Sequence, residues 1–220
     1  MSIKIYNSVN HQIDSNTIRI VNQYKDQLNL IITIGGDGSI LGAEKKFPGI
    51  PKLPLRFSNI CNHCKSQFRL ESLIQDIINK RIQPKRYIKL QANFKKQTFI
   101  ALNEINIKAK NPRSALRFQV STSPVDTTLL ADGLIVATPF GSTGYFKSIS
   151  NTVFVQGIGV ALNNPTNQQP TKIVSEDTSI SVKIIRGPAM VFVDNQPEFW
   201  QLQKRENLTI KKSLESALIY

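Results

Sequence analysis

The rhythm of hydrophobic and polar positions changes near residue 85. Before it, residues 4–9 read as a short strand, and residues 18–28 carry apolar side chains at uneven helical spacing. Leu28-Asn29-Leu30-Ile31-Ile32-Thr33-Ile34 is a β-branched run of the kind that makes a strand buried on both faces. It ends in Gly35-Gly36-Asp37-Gly38-Ser39, after which a helix is predicted over 40–46, stopped by Pro48 and Gly49. Residues 48–54 read as a proline-rich connection. Leu70, Leu73, Ile74, Ile77 and Ile78 then share one face of a predicted helix over 70–80. Beyond Pro84 the pattern turns to short alternating segments at 87–92, 98–108, 116–121, 134–138, 180–185 and 190–193, punctuated by Gly, Pro and Asn. The pattern predicts two domains, an α/β domain over 1–85 and a mostly β domain over 86–220.

The strand–glycine–helix unit carries the first candidate chemistry. Glycines let backbone approach a ligand closely, and a helix N-terminus favours an anion, so Gly35, Gly36, Gly38 and Ser39 form a candidate phosphate-donor loop. The spacing is neither G-x-x-x-x-G-K-[ST] nor G-x-G-x-x-G, which sets aside the P-loop and the standard dinucleotide fingerprint. Asp37 is the unusual member, because a carboxylate in a phosphate cradle repels phosphate unless it has a task. It can act as general base toward an attacking hydroxyl or help hold Mg²⁺. Asp37-Gly38 is also an ordinary turn pair.

Charge narrows the partners. The 220 residues hold 28 Lys and Arg against 15 Asp and Glu, a net charge of +13. That excess attracts polyanions, nucleotides among them, although a solvated basic surface accounts for it equally well. No nucleic-acid-binding motif accompanies it. The longest apolar runs are too short to cross a bilayer, and residues 1–5 lack the apolar stretch of a secretory signal, so a cytoplasmic protein without membrane contact is expected. The two cysteines, Cys61 and Cys64, have C-x-x-C spacing, which suits zinc or a redox pair. A structural zinc site needs four ligands, and the histidines are His63 and the distant His11. Ordinary reduced thiols are therefore expected, with no metal held by a protein cage.

Two further segments bring a family into view. Asp132-Gly133-Leu134-Ile135-Val136-Ala137-Thr138-Pro139-Phe140-Gly141-Ser142-Thr143-Gly144-Tyr145 resembles the D-G-x-x-[VI]-[SA]-T-P-T-G-S-T-A-Y signature of NAD kinases. Gly35-Gly36-Asp37-Gly38 matches that family's G-G-D-G, and Asn103-Glu104 resembles its short N-E motif. The resemblance spans roughly residues 28–215 and is tenuous over 50–85. It implies an α+β two-domain subunit, with an N-terminal Rossmann-like α/β domain and a C-terminal β-sandwich domain whose tail can return to the first. It implies NAD, ATP and Mg²⁺ (or another divalent cation) as ligands, and a homodimer or homotetramer. By the same resemblance Asp37 is the catalytic base and contacts NAD together with Gly38. Asn103 and Glu104 engage the dinucleotide, Asp132 lies near its nicotinamide end, and Thr143, Gly144, Tyr145, Phe146, Lys147 and Ser148 line its pocket.

The reaction so implied is transfer of a phosphoryl group from ATP, another nucleotide or polyphosphate to the adenosine 2′-hydroxyl of NAD. Some positions depart from the family pattern. Phe140 replaces a small hydroxyl residue, Gly144 an alanine, and Leu130 a basic residue. Leu55-Arg56-Phe57-Ser58-Asn59-Ile60-Cys61 shows little of the family's segment ending in G-F-L, and Val193-Asp194-Asn195-Gln196 carries Asn195 for glycine, where a left-handed turn is expected. These departures keep two alternatives open: an NAD(P)-binding regulatory protein without turnover, and a lipid kinase sharing G-G-D-G.

Overall fold

The computed structural model describes all residues except 1, 9, 57–60, 62, 67–68, 123–125 and 168. The chain forms two compact units. One holds Met1–Tyr87 with Ser216–Tyr220, the other Ile88–Glu215. Among the described residues no helix is long and apolar enough to cross a membrane.

The first unit is built on parallel strands: β1 (Ile3–Asn7), β2 (Leu30–Gly35), β3 (Lys52–Arg56) and the short β4 (Lys65–Ser66). β2 lies between β1 and β3, and all six of its residues are buried. That position explains its unbroken apolar run, since a central parallel strand is covered on both faces. Helix α1 (Ser15–Tyr24) starts where Asp14 Oδ1 accepts from the Thr17 amide at 2.8 Å, a side-chain N-cap. α3 (Leu70–Ile78) turns Leu70, Ile74 and Ile77 inward, at helical spacing. They join Ile20, Val21, Leu30, Ile32, Ile34, Leu53 and Leu55 in one core.

The chain enters β3 across a stretch that its prolines made look like a connection. Pro54 occupies the strand between Leu53 and Leu55, which are fully buried, and tertiary burial overrides the local propensity. Lys52, at the start of β3, is buried and ion-paired with buried Glu44 of α2 (Asp37–Lys46), and its Nζ donates to the Phe47 carbonyl at 2.6 Å. At the chain's end, Tyr220 donates its amide to the Lys52 carbonyl at 3.0 Å.

The second unit is almost wholly antiparallel sheet. Its strands are β5 (Lys85–Phe94, starting in the first unit), β6 (Gln97–Ala101), β7 (Glu104–Ala109), β8 (Leu116–Ser121) and β9 (Asp126–Ala137). After helix α4 (Tyr145–Ser150) come β10 (Ile158–Pro165), β11 (Lys172–Val174), β12 (Ile180–Arg186), β13 (Ala189–Val193), β14 (Phe199–Leu202) and β15 (Asn207–Ile219, ending in the first unit). β9 organises the unit. Its first half pairs with β8, and its second half runs between β7 and β10. Inward residues such as Ile105, Ile107, Phe118, Leu134, Val136, Val182 and Val191 form the second core. The fold is therefore mostly sheet with few helices, an α+β arrangement.

The segment expected as one strand over 98–108 divides in two. β6 ends at Ala101 and β7 begins at Glu104. Asp132 and Gly133 lie inside β9, which begins before the alternating segment expected at 134–138. A Cβ at Gly133 would meet the Ile107 carbonyl oxygen at 2.3 Å, so glycine is needed there for the strands to close up.

Candidate functional site

In the first unit the glycine-rich motif is the beginning of a helix, not a loop ahead of one. Gly35 closes β2 with φ 137°, a backbone region that favours glycine. Gly36 is the N-cap of α2, and Asp37 is its first residue. The expected start at 40 was three residues late. Glycine in extended conformation caps a helix well, and an acidic residue in the first turn is favoured by the helix dipole. Asp37 is half-buried, Gly38 is exposed, and buried Ser39 shares a hydrogen bond with the Ser8 hydroxyl at 3.0 Å.

The two cysteines lie beside this helix start. The structure joins Cys61 and Cys64 as a disulfide, where reduced thiols were expected. Their Cα atoms stand 5.6 Å apart, inside the range a disulfide spans without moving backbone. Cys61 Sγ lies 3.3 Å from Asp37 Oδ1, and Cys64 Sγ 3.6 Å from the Gly35 carbonyl oxygen. Asp37, Cys61 and Cys64 thus place one ligand atom each within 4.8 Å of one another. With the sulfurs bonded together they present no thiolate to a metal. Residues 57–60, where the G-F-L segment would fall, lie outside the described residues.

In the second unit the signature segment is tied to the N-E motif by backbone. Thr138 donates its hydroxyl to the Leu102 carbonyl at 2.6 Å and its amide to the Asn103 carbonyl at 2.9 Å. The Gly141 amide donates to Thr138 Oγ1 at 3.1 Å. A Cβ at Gly141 would sit 2.3 Å from the Asn103 carbonyl oxygen, so only glycine permits this approach. A Cβ at Gly144 would lie 3.7 Å from Asn103 Nδ2 and 4.0 Å from Glu104 Oε2. That is ordinary contact, so an alanine fits there too.

Asn103 and Glu104 are held by a residue the sequence reading did not single out. Asp194 follows β13 with φ 49°, and its carboxylate accepts from the amides of Leu102, Asn103 and Glu104 at 2.8, 2.8 and 3.1 Å. The left-handed residue of the Val193-Asp194-Asn195-Gln196 segment is therefore Asp194, where Asn195 was expected. The likeness of that segment to V-D-G-Q was the available signal. Burial and the neighbouring Asp194 charge push Glu104 up to about 8. Burial raises Asp194 to about 6, opposed by the three amides and by Lys89. At neutral pH the pair therefore shares one negative charge, carried by Asp194, and Glu104 keeps its proton. Asn103 Oδ1 and Glu104 Oε2 are buried without a hydrogen-bond partner. Asn106 Oδ1 is a third such atom among the described residues; unsatisfied buried polar atoms are uncommon, and a ligand or an ordered water can complete their bonding.

The remaining predicted residues fall as follows. Asp132 accepts from the Asn164 amide group at 2.9 Å. Thr143 closes a short 3-10 turn, Gly141–Thr143, which leads through Gly144 into α4. Tyr145 is half-buried, with the Lys108 ammonium 4.6 Å from its ring centre. Phe146 packs with Ile135, Ala137 and Ala161 and is fully buried, so its ring is a core group. Lys147 and Ser148 are exposed. Phe140 is only 2% exposed, which makes it a core side chain of the turn.

Comparison with known proteins identifies the family. The model of the ATP-NAD kinase C-terminal domain matches residues 102–220. The chain belongs to the ATP-NAD kinase family. It is similar to an NAD kinase of Flavobacterium psychrophilum, 25% identical over 217 residues, covering 90% of this chain and 74% of that protein. It is also similar to a bifunctional NADP phosphatase/NAD kinase of Methanococcus maripaludis, 26% identical over 212 residues and 87% of this chain. The chain spans only 36% of that relative's length. Among solved structures, an NAD kinase from Archaeoglobus fulgidus in complex with ATP matches with a TM-score of 0.80 and 21% identity, covering 100% of this chain and 93% of that one. This family member therefore shares the fold of that kinase.

Proposed function

We propose that this chain transfers the terminal phosphoryl group of ATP to the adenosine 2′-hydroxyl of NAD, giving NADP. The observation that carries the reading is the pair of buried, unpartnered oxygens on Asn103 and Glu104, beside Gly144 and pinned by Asp194. A protonated Glu104 offers one donor and one acceptor, and the Asn103 amide offers both as well. Such a set reads ribose hydroxyls or an adenine edge. The NAD kinase names of the relatives, and the ATP bound to the solved neighbour, point the same way.

Asp37 takes the proton of the 2′-hydroxyl as that oxygen bonds to the γ-phosphorus of ATP, and the bond to the β–γ bridging oxygen breaks to release ADP. Gly35, Gly36, Gly38 and Ser39, at the positive end of α2, face the donor phosphates. Thr143, Gly144, Tyr145, the Phe146 backbone, Lys147, Ser148 and Asp132 contact the dinucleotide. A divalent cation bound with the donor phosphates would supply charge neutralisation there. Asp37 is an oxygen donor of the kind such a cation accepts. The finer fold reading, a Rossmann-like domain with a β-sandwich domain, and a homo-oligomeric assembly belong to the same proposal. Light scattering on the purified protein tests the assembly.

The deciding assay is NADP formation from NAD and Mg²⁺-ATP, read by a strictly NADP-dependent dehydrogenase. Asp37→Asn is expected to fold and bind NAD but to turn over at least about a hundredfold more slowly. Near-normal turnover in that variant removes Asp37 from the mechanism. No product from the unaltered chain, with other nucleotides and polyphosphate also tried, removes the kinase reading.

A further inference from the structure

We infer that Cys61 and Cys64 are a reversible dithiol–disulfide site whose oxidation state sets the hydrogen bonding of Asp37. The two sulfurs flank the start of α2 on a connection that is itself anchored. Arg56 donates to the Cys61 carbonyl at 2.9 Å, and β4 pairs with the end of β3 immediately after Cys64. The anchoring holds Cys61 Sγ at 3.3 Å from Asp37 Oδ1. The pair is separated by only three positions. Closing so small a loop restricts the unfolded chain little, because the entropic effect of a disulfide grows with loop length. What the bond changes is local, and what lies next to it is the Asp37 carboxylate.

The two sulfurs differ in access. Cys61 is 5% exposed, whereas Cys64 is half-buried and followed by the exposed Lys65. Cys64 is therefore the sulfur that a small disulfide reaches. Its thiolate attacks one sulfur of oxidised glutathione, forming a mixed disulfide and expelling one glutathione thiolate. Cys61 then attacks the Cys64 sulfur and expels the second glutathione as a thiolate, which takes up the proton that Cys61 releases. Two protein thiols and one glutathione disulfide become one protein disulfide and two glutathione thiols. A dithiol reductant runs the same exchange backwards.

The consequence for Asp37 follows from the proton count. In the dithiol state the Cys61 S–H donates to Oδ1. In the disulfide state that sulfur has no hydrogen to give. The disulfide state therefore presents Asp37 with one hydrogen-bond donor fewer than the dithiol state. Losing one ordinary hydrogen bond corresponds to about a threefold to tenfold change in an equilibrium. The effect on rate rests on the kinase reading; the disulfide and the response of the carboxylate do not.

The test equilibrates the full chain in graded mixtures of reduced and oxidised glutathione, with a chelator present. Free thiols are counted by alkylation and intact mass, the Asp37 carboxyl carbon is followed by NMR, and NADP formation is timed. Asp37→Asn identifies the Asp37 signal. Both thiols are expected to disappear together, the Asp37 signal to shift with them, and the rate to change about threefold to tenfold. Reductant should reverse all three changes. Cys64→Ser should hold the dithiol values in every buffer. Thiols that stay free in fully oxidised glutathione overturn the inference, as does a disulfide that forms with the Asp37 signal unmoved. If no NADP forms in either state, the kinase reading fails, while thiol count and carboxyl signal still decide the site.

Discussion

Glu104 shows how much a single side chain can depend on its surroundings. Its carboxyl, raised to about 8, stays protonated across the range where an unfolded glutamate, near 4.5, is ionised. Between those values the native state binds one more proton than the unfolded state, so stability falls as pH rises and levels off above about 8. Asp194 adds a similar decline that ends near 6. Above pH 6 the remaining slope belongs to Glu104. Glu104→Gln, which mimics the protonated form, is expected to remove most of the fall in melting temperature between pH 6 and 8. Thermal unfolding of both proteins across that range checks it; parallel curves would show that Glu104 is already ionised in the native state. The slope at stake is at most about 1.4 kcal/mol per pH unit.

At the scale of elements, the second unit's candidate residues are placed by three short connections. β6 gives way to β7 at Leu102-Asn103, where Asp194 after β13 gathers three amides. The turn after β9 is fastened to the same two residues through Thr138. The close approach of Gly141 to the Asn103 carbonyl completes the contact. Gly141→Ala forces a Cβ to within 2.3 Å of that oxygen, so the turn must move. The expected cost is about 1–3 kcal/mol of stability. Asn103 and Glu104 shift with it, so NAD affinity should fall by tenfold or more, on the order of 1.4 kcal/mol. Denaturant unfolding and NAD titration measure the two effects separately. Gly144→Ala is the control for stability, because its Cβ meets nothing closer than 3.4 Å and should leave unfolding nearly unchanged.

For the whole molecule, the net charge of +13 sets the long-range field. Salt bridges such as Lys212–Glu176 and Lys95–Glu206 use only part of the basic excess. A field of this sign draws polyphosphate anions toward the protein, and salt screens it within about 10 Å at 0.1 M. The apparent KM for ATP is therefore expected to rise severalfold as salt increases from about 0.05 to about 0.3 M, with a smaller change in kcat. Initial-rate measurements at fixed Mg²⁺ across that range test it. A KM that ignores salt would leave the basic surface without a part in capturing substrate.

Where one kind of local pattern carries the information, the sequence alone decided the outcome. The β-branched run Leu30–Gly35 becomes a buried central strand because apolar content and parallel burial point the same way. The strand Leu116–Ser121 alternates just as a half-covered antiparallel strand must. The long signature decides the family because it is a string of identities, legible without coordinates. Other outcomes required the tertiary structure. Pro54 lies in a strand because its neighbours Leu53 and Leu55 fill the core, which outweighs proline's local preference. Asp37 opens a helix because Gly36 caps it. Asp194 reaches the Leu102 amide across 92 positions, and Cys61 reaches Asp37 across 24. Contacts at such separations leave no periodicity in the chain, since they depend on how strands pair and not on what is adjacent in sequence. Motif identity is a local property, whereas the charge, protonation and bonding partners of the motif's side chains are set by what folding brings beside them.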